Sequence, residues 1–155
     1  MTIVLPHDPY IGAVCDALTT AGLAPVDHFT DDSDTSGSHH YLRAVITLDD
    51  SSGIPADRWP HGLILIWEWH TGIEAADGEP ERGPSWEWAR LVTEYGECGE
   101  REAFTAVGYP SPAYVVESVR ALIDRRNQAT PAERWEHADV LDTACEAWGV
   151  AEAAE

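Results

Sequence analysis

The chain has 155 residues, 28 of them acidic against nine basic, for a formal net charge of −19. Every base is arginine, so lysine-bound cofactor chemistry is excluded, and a basic patch for nucleic acid or an anionic membrane surface is not expected. A hydrophobic content of 44% still supports an ordinary globular core, and the length suits one domain.

Asp8-Pro9 reads as a helix N-cap followed by proline at the first helical position, and Ile11, Val14, Cys15 and Leu18 recur at helical spacing. Gly22 is a suitable stop, so a helix is predicted over about 9–21. Residues 30–40 are small and polar and read as a loop. Tyr41 to Leu48 alternates as a strand, with Leu42, Ala44, Ile46 and Leu48 on one face and Tyr41, Arg43, Val45 and Thr47 on the other. Gly62 to Trp69 is nearly continuous apolar sequence, as in a central strand.

Ile66-Trp67-Glu68-Trp69 is echoed by Ser85-Trp86-Glu87-Trp88. In strands, both Trp of each triplet share a face and the Glu takes the other. A hairpin pairing 67 with 88 and 69 with 86 would turn at Asp77-Gly78. A rival arrangement turns early, at His70-Thr71-Gly72, with Ile73 to Ala76 as a short separate strand. Pro80, Gly83 and Pro84 fit a long regular hairpin poorly and support the rival. Residues 95–102 form an acidic loop, and Ala103 to Val107 suits a last short strand. Ser111-Pro112 opens a helix over 112–126, and Thr130-Pro131-Ala132-Glu133 is a capping box for a final helix stopped near Gly149. The expected fold is α+β: an N-terminal helix, an antiparallel sheet of three to four strands, and two C-terminal helices packed on one face. The expected organisation is an α+β domain over 1–127, a helix over 128–150 packed on it, and a frayed tail over 151–155.

Cys15, Cys98 and Cys145 have no zinc-type spacing and read as free thiols in a reducing compartment. The N-terminus lacks signal-peptide character, and the longest apolar run is too short to span a membrane, so the expected location is cytoplasmic. Asp32-Ser33-Asp34-Thr35-Ser36-Gly37 matches half of a calcium loop, but Arg43 stands where the bidentate Glu belongs. Glu68 and His70 share a strand face without a third ligand at a recognisable spacing, so no metal or other cofactor is expected. No nucleophile elbow, P-loop or dinucleotide fingerprint occurs, which favours a protein that is not an enzyme.

Pro9-Tyr10-Ile11-Gly12-Ala13-Val14, then Gly62-Leu63-Ile64-Leu65-Ile66-Trp67 with Thr71-Gly72, then Pro110-Ser111-Pro112 opening Val115-Val116, resembles a family of small actinobacterial domains of unknown function. The resemblance covers about residues 8–125. Ile73 departs from it, standing where the family usually has Trp. It implies the early turn and no activity.

The leading expectation is a non-enzymatic acidic module for a basic protein partner, of immunity, antitoxin or chaperone type, to which homodimerisation is open. Candidate partner-binding residues are Asp31, Asp32, Asp34, Asp49, Asp50, Trp59, Glu68, His70 and Glu87, with Trp59 expected to be partly exposed. One alternative is a DNA-mimic inhibitor of a nucleic-acid-binding protein. Another is a small-molecule binder or enzyme with a Trp-lined pocket near Glu68 and His70. The indoles themselves are expected mostly in the core, with an exposed aromatic sheet face as the rival.

Overall fold

The computed structural model describes residues 5–35, 39–72, 76, 81–104, 109–128 and 130–153, without the side chains of 33–35, 39–40 and 152–153. Helix α1 (Asp8–Thr20) is followed by strands β1 (Asp27–Thr35), β2 (His39–Leu48), β3 (Leu63–His70), β4 (Gly83–Arg90) and β5 (Glu102–Ala103), then by helices α2 (Pro112–Ile123) and α3 (Ala138–Ala153). The strands form one antiparallel sheet in chain order. The fold is therefore α+β as expected, with five strands rather than three or four.

The added strand is β1, in a stretch expected to be loop. Its polar residues suit an edge position, where charged side chains face water on both sides and block pairing with another chain. The Ser36-Gly37 half of the calcium-like motif lies outside the described residues. So do the Asp77-Gly78 turn, most of the expected strand over 73–76 and the C-terminal part of the one over 103–107.

In every strand, alternate residues point to opposite faces. Leu42, Ala44, Ile46 and Leu48 join Leu63, Leu65, Trp67, Trp69 and Trp86 on the face covered by the helices. The helices contribute Tyr10, Ile11, Val14 and Leu18 from α1, Val115, Val116, Val119 and Ile123 from α2, and Ala138, Leu141 and Cys145 from α3 to the same core. The Trp cluster is thus core, and the exposed-aromatic-face alternative is corrected. Trp67 pairs directly with Trp86, Leu65 with Trp88 and Trp69 with Pro84. This register is shifted by two residues from the long-hairpin expectation, which leaves every indole on its predicted face. The chain leaves β3 after His70, and Gly72 turns it at φ 72°, so close to the returning chain that a Cβ would sit 2.6 Å from the Arg82 nitrogen.

Three helix-end expectations change. His7, not Asp8, occupies the N-cap position of α1, and the Asp8 carboxylate instead accepts from the Leu5 N–H at 2.8 Å and from the Thr30 hydroxyl. The Thr130–Glu133 capping box does not open α3. That stretch is extended, with Ser111 N–H donating to the Glu133 carbonyl at 2.7 Å and Trp135 N–H to the Tyr109 carbonyl at 2.8 Å, so those groups are not available to a helix. Gly149 lies inside α3 rather than ending it. Its missing side chain lets the helix approach Trp69 and Thr71, which a Cβ would meet at 3.2–3.4 Å. The Ser111 cap of α2 is as expected, accepting from Tyr114 N–H at 3.1 Å.

Candidate functional site

The sheet face away from the helices carries the chemistry. Strand parity and register place Asp31 of β1 opposite Arg43 of β2, and Arg43 opposite Glu68 of β3. Arg101, from the segment before β5, reaches over this face to Glu68 at 3.1 Å and to Glu87 of β4 at 2.8 Å. Arg43 holds Asp31 in a two-pronged contact, Nε to Oδ1 at 3.2 Å and Nη2 to Oδ2 at 2.8 Å. The result is a ladder of alternating sign from the sheet edge to its far side: Asp31, Arg43, Glu68, Arg101, Glu87.

His70 joins the ladder at its centre. Its Nε2–H donates to Glu68 Oε1 at 3.0 Å, and the ring stacks on Tyr41 with centroids 5.0 Å apart. The Glu68 side chain is only 13% exposed. Burial pushes its carboxyl pKa up, but the His70 bond and the Arg101 charge outweigh burial and hold it below the ordinary value of 4.5. Glu68 is therefore a stable anion engaged on both oxygens. That makes it a poor proton acceptor and a good structural anchor for Arg101.

Of the candidate residues, the structure brings Asp31, Glu68, His70 and Glu87 into this one network. Asp32 is exposed at the rim of β1, and Asp34 lies on the same strand with its side chain outside the description. Asp49 and Asp50 sit at the other end of the sheet, around the 3₁₀ turn at 50–52. With Glu94 and His61 they line an open cleft of 340 Å³. Trp59 corrects an expectation: it is buried, not exposed. The chain turns back at Pro55–Trp59, tucking the indole against Trp88 and under the Arg90 guanidinium at 4.1 Å, with its N–H towards the Ile123 carbonyl at 3.5 Å. A Trp-lined pocket near Glu68 and His70 is likewise not what the described residues build. Trp67, Trp69 and Trp86 are buried on the opposite side of the sheet.

Arg43 and Arg101 were missed as functional residues. Strand alternation already puts Arg43 on the Glu68 face, so parity could have found it. Arg101 arrives from a loop, and no local pattern announces it.

Among the described residues no group of three or more His, Cys, Asp or Glu side chains is arranged to hold a metal ion. No helix among them is long and apolar enough to cross a membrane. No protein-family model matches the chain, and neither the curated proteins nor the solved structures include a match.

Proposed function

We propose that this protein is a non-enzymatic, cytoplasmic acidic binding module for a basic protein partner. One observation carries the reading: the sorting of its charge. The two arginines on the open sheet face are matched to Asp31, Glu68 and Glu87. Asp27, Asp32, Asp49, Asp50, Glu94, Glu97 and Glu100, by contrast, pair with no base among the described residues. Most of them lie exposed at the sheet edge and in the loop after β4. Tyr95 stands 86% exposed among the acids of that loop, the mixture of aromatic and charge that suits a protein contact. Uncompensated acid of this kind speeds encounter with a basic surface and makes it salt-sensitive.

The test is affinity capture from the native lysate at low salt, eluted by a salt step, with protein and nucleic acid both identified. A basic protein is expected in the salt eluate of the wild type and reduced with an Asp49→Asn, Asp50→Asn, Glu94→Gln variant. No reproducible basic protein, or capture indifferent to the three substitutions, would sink the reading. Recovery of a nuclease or DNA-binding regulator would direct it towards the DNA-mimic form.

A further inference from the structure

We infer that a groove between the start of α1 and the outer side of α3 is where such a partner docks, by seating an apolar side chain of a basic segment. The inference rests on the acidic-module reading and adds the surface and the chemistry it takes.

The groove has a volume of 410 Å³ and is lined chiefly by Tyr10, Trp135, His137, Val140, Leu141 and Ala144, next to Pro9 at the start of α1. Its floor is aromatic, and its α3 wall recurs at helical spacing as residues 140, 141 and 144. Val140, in the groove wall, is 71% exposed. An exposed apolar side chain continuous with an apolar groove suits a contact surface.

The lining offers a small polar ligand few groups: the His137 imidazole, 3.5 Å from Glu136, and the Tyr10 hydroxyl. The Tyr10 hydroxyl already donates to the Pro110 carbonyl at 2.7 Å and accepts from the Trp86 indole at 3.2 Å. It has little capacity left to orient a ligand, a task for which binding pockets usually keep a few polar groups. The rim argues for positive charge in the occupant. Glu136 and Asp139, each next to a lining residue in sequence, are exposed, as is Glu133. The neighbouring base, Arg134, is taken by Asp139 at 2.9 Å, and Glu136 has only His137, at 3.5 Å. A second copy of this chain is a poor occupant, because it would bring another −19 against the same rim. A segment with an apolar anchor flanked by arginine or lysine satisfies both floor and rim, in the manner of an amphipathic peptide in a groove.

Two labelled synthetic peptides test this by fluorescence anisotropy at low salt. One interleaves Arg with Leu and Phe; the other keeps the same Arg and replaces the apolar residues with Ser. The protein is used whole, as wild type and as a Val140→Asp, Ala144→Asp variant. Both positions are on the outer side of α3, and circular dichroism checks that the fold persists. The added acid makes the variant diagnostic: attraction by charge alone predicts equal or tighter binding, whereas the groove predicts binding of the Leu/Phe peptide weakened by roughly tenfold or more. The expected result is preference for the Leu/Phe peptide, lost in the variant. Equal binding of both peptides, or a variant that binds as well as wild type, overturns the groove and leaves the charge-led module standing. Binding of neither peptide overturns the groove and weighs against the module as well.

Discussion

The two faces of the sheet are built from the same strands and obey opposite rules. Along β3, Trp67 and Trp69 face the helices, while Glu68 and His70, their immediate neighbours, face away. On the covered side, specificity comes from shape: Tyr10 meets Trp67 and Trp86 edge-on at 6.0 and 6.2 Å, and Trp135 closes on Tyr10 at 4.9 Å. On the open side, neighbours are matched by sign, and apolar area is left in water, as at Phe29, 44% exposed beneath Arg43. The first kind of contact is expensive to lose at any pH or salt. The second depends on both, so the two faces can be separated by experiment.

The largest effect is expected on the covered face. Trp67→Ala removes a fully buried indole and leaves a cavity under α1, which should cost about 3–5 kcal/mol. Urea unfolding at neutral pH measures it. Because small domains have only about 5–15 kcal/mol to lose, the variant should be at the edge of folding. A loss below about 1 kcal/mol would mean that the Trp cluster is not the centre of the core.

That core was legible in the sequence because alternation does not depend on register. Slipping the β3–β4 pairing by two residues left Trp67, Trp69, Trp86 and Trp88 on one face. Similarly, Ser111-Pro112 needed only local chemistry to place the start of α2. What stayed hidden depends on partners distant in sequence. β1 has no apolar rhythm because its stabilisation comes from backbone pairing to β2. Thr130–Glu133 has the letters of a capping box, but its Glu133 carbonyl is claimed by Ser111 and the Trp135 N–H that follows by Tyr109. Trp59 looked exposed next to Pro60, yet its cover comes from Arg90 and from Ile123 at the end of α2. On the open face, parity placed Glu68 with His70, but Arg101 enters from a loop and no spacing predicts it.

A smaller effect, with a pH signature, is expected at the centre of the ladder. Glu68→Gln leaves Arg101 and His70 without their shared anion and should cost about 1–3 kcal/mol at neutral pH. The folded Glu68 pKa lies below 4.5, so its contribution is present above pH 4.5 and is lost as pH falls through the folded value. The gap between wild type and variant should close over that acid range. His7 gives a second window from the covered side. Its ring is buried against Trp67 at 5.4 Å, its Nε2–H donates to the Arg43 carbonyl at 2.7 Å, and Nδ1 meets no partner among the described residues. Burial lowers its pKa below 6.5 despite the Arg43 bond and the nearby Asp8, Asp31 and Asp32. The unfolded chain therefore takes up that proton first, and stability should begin to fall below pH 6.5. His7→Gln should flatten the profile between that pH and the Glu68 window. Urea midpoints measured across pH for the three proteins decide it: parallel profiles would show that neither group is linked to folding.

The smallest effect belongs to the outer end of the ladder. Asp31 and Arg43 are each about one-third exposed, so water and salt screen them far more than Glu68. Asp31→Asn should cost no more than about 1 kcal/mol, and high salt should erase most of it. A double-mutant cycle with Arg43→Gln isolates the pair from whatever Arg43 does for Phe29 and Glu68. If the coupling is small and salt-sensitive, the ladder is a row of independent contacts, strong at its buried centre and weak at its edge. A coupling as large as the loss in Glu68→Gln, and persistent in salt, would mean instead that charge is transmitted along the row. The edge strand would then be held by the same network that anchors Arg101, and the open face would act as one unit, as the covered face does through packing.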